Sequence, residues 1–206
     1  MKDLSVTWNK LTLKYTENGR LVDELWIEIE KAYTSKRRHY HNLAHLAYMI
    51  ERAIRYSDQL YEHDTVMFSI FYHDIIYNTG RQDNEQKSAD IAHDRLTRLE
   101  VPVDKIMKCQ CQIMATKDHK DNADSDTNFL VDFDLAILGD TPKTYEEYTK
   151  KIRSEYSIYP NFLYKKGRKK VLQHFLAMDR IFKTHEFHSR YEKQARENLR
   201  TELRQL

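Results

Sequence analysis

Glycine and proline are scarce in this chain, at 4 and 3 of 206 residues. Hairpins and tight turns draw on both, so little material is left for an architecture built from strands and short turns. Cysteine is scarcer still. Cys109 and Cys111 stand two apart, the spacing of neither a zinc knuckle nor a redox pair, and they read as free thiols. No apolar run approaches the ~20 residues that a membrane span needs. The opening MKDLSVTW lacks the apolar core of a signal peptide, so a soluble, cytoplasmic protein is expected. A surplus of one charge is also missing. The net charge is +2 with 32% charged residues, and nothing in that overall balance points to nucleic acid or an anionic membrane.

Leu, Lys, Glu and Arg are plentiful, which predicts a mostly helical chain long enough to bury one sizeable core. Apolar spacing predicts helices over Leu4–Lys14, ended by Asn18-Gly19, and over Leu21–Tyr33. A third runs from about Asn42 to Arg55. A further helix starts near Asp83 or Asn84 and reaches Leu99, and another spans Val103–Thr116. The polar stretch Lys117–Asp126 reads as a solvated loop. Asp140-Thr141-Pro142 signals the start of a three-helix last third, with a bend near Tyr159-Pro160.

One run breaks the pattern. Val66–Tyr77 is apolar or aromatic except for Ser69, His73 and Asp74. Such a segment is buried, and a buried carboxylate left alone costs several kcal/mol, so Asp74 needs a hydrogen bond, an ion pair or a metal. Upstream, RRHYHNLAH puts three histidines at 39, 41 and 45. His41 and His45 are four apart at a helix start and point the same way. A helical hairpin over the 28 residues between His45 and His73 brings the two together. Downstream, VDFDLAILG sets Asp132 and Asp134 in a second apolar segment.

The order His45, His73-Asp74, then Asp-Leu-Ala on a later helix resembles the HD-domain superfamily of metal-dependent phosphohydrolases. RHYHNLAH, FYHDIIYN, NEQKSA, VDFDLAILG, RSEY and the Gly167-Arg168 pair are similar to a family of predicted HD-superfamily hydrolases, over roughly residues 35 to 200. The resemblance implies an all-α HD-domain helical bundle. Its metal-binding core covers about residues 35–140, and additional C-terminal helices cover 141–206 of one domain. It further implies His45, His73, Asp74 and Asp134 as ligands, with Asp74 also serving the reaction, and His41 as general acid. His41 for His45, and Asp132 for Asp134, stay open as alternatives. The Tyr-His-Asn-Leu-Ala-His string is similar to that of cyclic-nucleotide phosphodiesterases, but Tyr77 stands where those enzymes add a histidine. Their substrate is therefore not inherited.

Two imidazoles and two carboxylates suit Mn, Fe, Co, Ni, Zn or Mg, and such an ion activates water for attack on phosphorus. Glu85 and Asp132 are candidates to orient ligating histidines. Arg38, His119 and Arg168 are candidates for substrate phosphate, an Arg fork matching that geometry. The expected function is hydrolysis of a small phosphorylated molecule, with a nucleotide as the leading guess. The alternative is a non-catalytic metal-containing module that binds or senses a ligand. A nucleic-acid binder is a weaker third, resting on the basic run Lys165–Lys170 alone.

Overall fold

The computed structural model describes residues 4–206. Among them are ten α-helices and no strand, as the composition requires. They are α1 (Leu4–Thr12), α2 (Gly19–Tyr33), α3 (Leu43–Arg55), α4 (His63–Tyr72), α5 (Asn84–Arg98), α6 (Val103–Ala115), α7 (Ser125–Leu135), α8 (Pro142–Glu155), α9 (Asn161–Ala177) and α10 (His185–Gln205). The chain divides into two compact units inside α7, between Leu130 and Val131.

In the first unit α4 is the central element. Every residue from Thr65 to Tyr72 is buried, and α4 packs on α3, α5 and α6. Trp8 meets Phe71 edge-on with centroids 5.2 Å apart and donates its indole N–H to the Val22 carbonyl at 3.0 Å, tying α1 and α2 to α4. Inside α4 the Ser69 hydroxyl is matched, donating to Gln112 Oε1 at 2.7 Å, whereas the buried Thr65 and Tyr72 hydroxyls have no hydrogen-bond partner among the described residues. Helix starts follow the local chemistry. Asn18 does not simply end α1; its side chain caps α2 by accepting from the Leu21 N–H at 3.1 Å. Glu100, at φ 62°, ends α5 in a left-handed turn, with the Val101 N–H returning to the Leu96 carbonyl at 3.1 Å.

Asp126 corrects the sequence reading. Expected in a solvated loop, it is fully buried and accepts the N–H groups of Tyr61 and Glu62 at 2.9 and 2.7 Å. Those donors lie just ahead of α4 and have no helical carbonyl to reach, so a carboxylate carried at the start of α7 closes them off. Lys108 balances its charge at 3.3 Å.

The second unit packs α9 on α10, and sets α8 and α10 against the 3-10 turn Ala136–Gly139. Gly139 is there because nothing larger fits: a Cβ would lie 2.5 Å from Tyr191 Cβ and 2.7 Å from its carbonyl oxygen. Between α8, α9 and α10 the Arg168 guanidinium forms a two-pronged pair with Glu202, at 2.7 and 2.9 Å, and Tyr145 donates its hydroxyl to the same carboxylate. Thr141 caps α8 with Pro142 behind it, as the Asp-Thr-Pro signal predicts.

Candidate metal centre

His45 sits in the first turn of α3, just inside the Asn42 cap, whose side chain accepts from the Ala44 N–H at 2.9 Å. His73 caps the C-terminal end of α4, and Asp74 follows it into an irregular turn. The α3–α4 hairpin therefore returns the chain so that the start of one helix meets the end of the other. His45 Nε2 and His73 Nε2 are 3.3 Å apart, and Asp74 Oδ2 is 3.3 Å from His73 Nε2. One ligand atom from each of the three lies within 4.8 Å of the others. Both imidazoles are buried, at 3% and 1% exposure, while the Asp74 side chain keeps 17%. The cluster is closed on the imidazole side and reachable from the carboxylate side.

The donor chemistry fits a cation. His73 Nδ1 is 2.8 Å from the Ile70 carbonyl, and a carbonyl only accepts, so Nδ1 carries the proton. In the neutral ring Nε2 then presents a lone pair toward the Asp74 carboxylate and the His45 ring nitrogen. With His45 also offering its Nε2 lone pair, a divalent ion would be held by the three atoms, and the imidazole-to-carbonyl bond is the support that ligating histidines normally have.

Around the cluster, the irregular turn is held by Arg38. Its guanidinium donates to the carbonyls of Asp74 at 2.6 Å, Ile75 at 3.0 Å and His41 at 3.3 Å, and lies over the Tyr33 ring at 4.8 Å. Tyr33 in turn accepts the Asp74 N–H on its hydroxyl at 3.2 Å. Arg38, expected to bind substrate phosphate, thus fastens the backbone of His41 to that of Asp74-Ile75. Sequence reasoning missed this role because a guanidinium beside a histidine cluster reads as an anion site, whereas its donors here meet carbonyls left over where α4 ends.

His41 precedes the Asn42 cap rather than lying in α3. Its ring stacks on Tyr77 at 4.2 Å and 29°, and its Nε2 is 4.0 Å from Asp74 Oδ2, with 19% of the side chain exposed. The position that lacks the phosphodiesterase histidine, Tyr77, is therefore the wall against which His41 rests. No signal in the sequence connects these two.

The other expected site residues are placed as follows. Glu85 stands in the first turn of α5, where its charge suits the helix N-terminus. Asp132 is fully buried, and its oxygens accept the N–H groups of Lys183 and Thr184 at 2.8 Å each and the Thr184 hydroxyl at 2.7 Å. It anchors the start of α10 instead of orienting a histidine. Burial pushes its carboxyl up to about 6 against the pull of those donors. Asp134 lies on α7 past the division between the units. There its charge adds to the burial that raises the Tyr148 hydroxyl. His119 ends the α6 region at φ 51°, its N–H on the Ala115 carbonyl at 3.1 Å. Arg168 is 7% exposed and spends its fork on Glu202, so its part is in packing α9 against α10. Comparisons of the chain with protein-family models, with curated proteins and with solved structures found no match.

Proposed function

We propose that this protein is a metal-dependent phosphohydrolase, with His45, His73 and Asp74 as ligands of one divalent ion and a small phosphorylated molecule, a nucleotide first among them, as substrate. The observation that carries the reading is the convergence of His45 Nε2, His73 Nε2 and Asp74 Oδ2 within 4.8 Å. When bound, such an ion lowers the pKa of a coordinated water and offsets charge at phosphorus. The chain's own residues supply the rest. The two buried imidazoles exclude water from one side and leave approach from the side of Asp74 and His41. His41, which rests on the Tyr77 ring, gives a proton to the leaving oxygen in this reading. Arg38 keeps the backbone segments of His41 and Asp74 in register.

The test is turnover of a panel of phosphorylated metabolites by the purified protein with Mn, Fe, Co, Ni, Zn and Mg in turn. Release of phosphate that depends on the ion and falls about 10²- to 10⁴-fold in His41→Ala, with the metal content unchanged, supports the reading. Metal binding with no turnover of any ester would favour a binding or sensing module instead.

A further inference from the structure

The outer face of α9 is a surface that packing and pairing leave unexplained. Residues 156–178 contain no Asp or Glu, yet five Lys and Arg. Arg168 alone turns inward. Lys165 donates to the Leu206 carbonyl at 2.9 Å, while Lys166, Lys169 and Lys170 are exposed and have no carboxylate in ion-pair reach among the described residues. Five lysines elsewhere, Lys14, Lys105, Lys108, Lys120 and Lys150, each have an acidic partner. The charge is also local to one unit. Residues 131–206 hold sixteen Lys and Arg against eleven Asp and Glu, which the near-neutral whole-chain balance conceals.

Beside these cations the same stretch exposes apolar surface. Phe162 is 71% exposed, Leu163 47%, and Ile158, in the turn before the helix, 65%. By helical spacing Phe162, Leu163, Lys166 and Lys170 share the side of α9 opposite the buried Arg168, Leu172 and Phe175. Lys169 flanks them. An apolar end followed by a row of unneutralised lysines is the pattern of a helix that rests on a charged interface, its apolar side chains entering and its ammonium groups meeting anions. From these features we infer that the outer face of α9 docks this protein on an anionic phospholipid surface.

The composition of the face selects lipid over nucleic acid. Of the three exposed apolar side chains only Phe162 offers a ring; Ile158 and Leu163 are aliphatic and give no second ring on which successive bases could stack. Every exposed cation is Lys, whose apolar stem lies along a lipid surface while its head reaches the headgroups, and the one Arg, the better fork for a phosphodiester, is buried in its pair with Glu202. The proposed contact is peripheral: among the described residues no helix is long and apolar enough to cross a membrane.

The test is co-sedimentation of the full chain with vesicles of phosphatidylcholine alone and of phosphatidylcholine mixed with phosphatidylserine, with a single-stranded RNA in a parallel binding assay. The expected result is binding to the phosphatidylserine vesicles only, weakened at high salt. The triple variant K166E, K169E, K170E and, separately, the double variant F162S, L163S should each reduce it about tenfold or more. All five side chains are exposed, and an unchanged melting temperature confirms that the variants fold. The inference is overturned if the wild-type chain ignores phosphatidylserine vesicles or if neither variant alters its binding. RNA binding that depends on the lysines, without vesicle binding, would overturn it as well.

Discussion

Replacing Arg38 by Ala tests whether the candidate site is held by its backbone or only by the ligands themselves. The guanidinium donates to three carbonyls, those of Asp74, Ile75 and His41. Hydrogen bonds from a charged donor contribute about 1.5–3 kcal/mol each in favourable settings. Arg38 is half-buried, so water takes over part of what the variant loses, and a total near 2–3 kcal/mol is expected for the local structure. The loss falls on the segments that carry Asp74 and His41, so the amides of residues 73–77 should exchange with solvent faster by about one to two orders of magnitude. Apparent affinity for a divalent ion should weaken by about tenfold or more, because the ligand set must be ordered at the moment of binding. Hydrogen exchange read by mass spectrometry, paired with a competition titration for metal, measures both. Arg38→Lys should recover only a fraction, since one ammonium cannot span three carbonyls held by a planar fork. Unchanged exchange at residues 73–77 in Arg38→Ala would refute the reasoning, whatever happens to activity.

Arg168→Ala should destabilise the protein by about 3–5 kcal/mol in urea denaturation, because it strands the Glu202 carboxylate in a buried place. Replacing both partners by methionine should restore much of that loss. Gly139→Ala should cost about 3 kcal/mol or more in the same assay, since the added methyl meets the Tyr191 backbone rather than a side chain that can swing away. One thiol of two should react with a disulfide reagent near neutral pH in the folded protein. Cys111 is exposed, whereas burial pushes the Cys109 thiol up to about 12, and release of the second thiol should track unfolding. Asp64 sets a pH dependence: burial opposes its ionisation, but bonds from Lys14 and Tyr15 prevail and hold the carboxyl below its ordinary 3.8. A depressed folded-state pKa stabilises above the unfolded value and loses that stability as pH falls through the folded one. Asp64→Asn should therefore flatten the acid side of the stability profile below about pH 4, as read by thermal melts across that range.

The helical character was legible because the scarcity of glycine and proline leaves few alternatives, and the helix boundaries followed from Asn42, Thr141-Pro142 and Tyr159-Pro160. His45, His73 and Asp74 were legible too, as chemistry stranded in apolar surroundings at a spacing that one hairpin closes. What stayed hidden has a common origin in side chains that serve backbone groups far along the chain. Asp126 closing the start of α4, Asp132 anchoring the start of α10 and Arg38 bridging three carbonyls all depend on which helix end lies nearby. Residue type and spacing carry no record of that. The pairing of Arg168 with Glu202 was hidden for a related reason. A basic run reads as one surface, but the 3.6-residue turn sends its fourth member inward to Glu202 while its neighbours face out.

The proposed divalent ion at His45, His73 and Asp74 is tested most directly by a metal-binding isotherm on the apo-protein, with stoichiometry and variants. One ion per chain should bind, His45→Ala and Asp74→Ala should each lower the affinity by two orders of magnitude or more, and His41→Ala should leave it unchanged. Wild-type protein that takes up no divalent ion, or an isotherm that His45→Ala and Asp74→Ala leave unaltered, would contradict it.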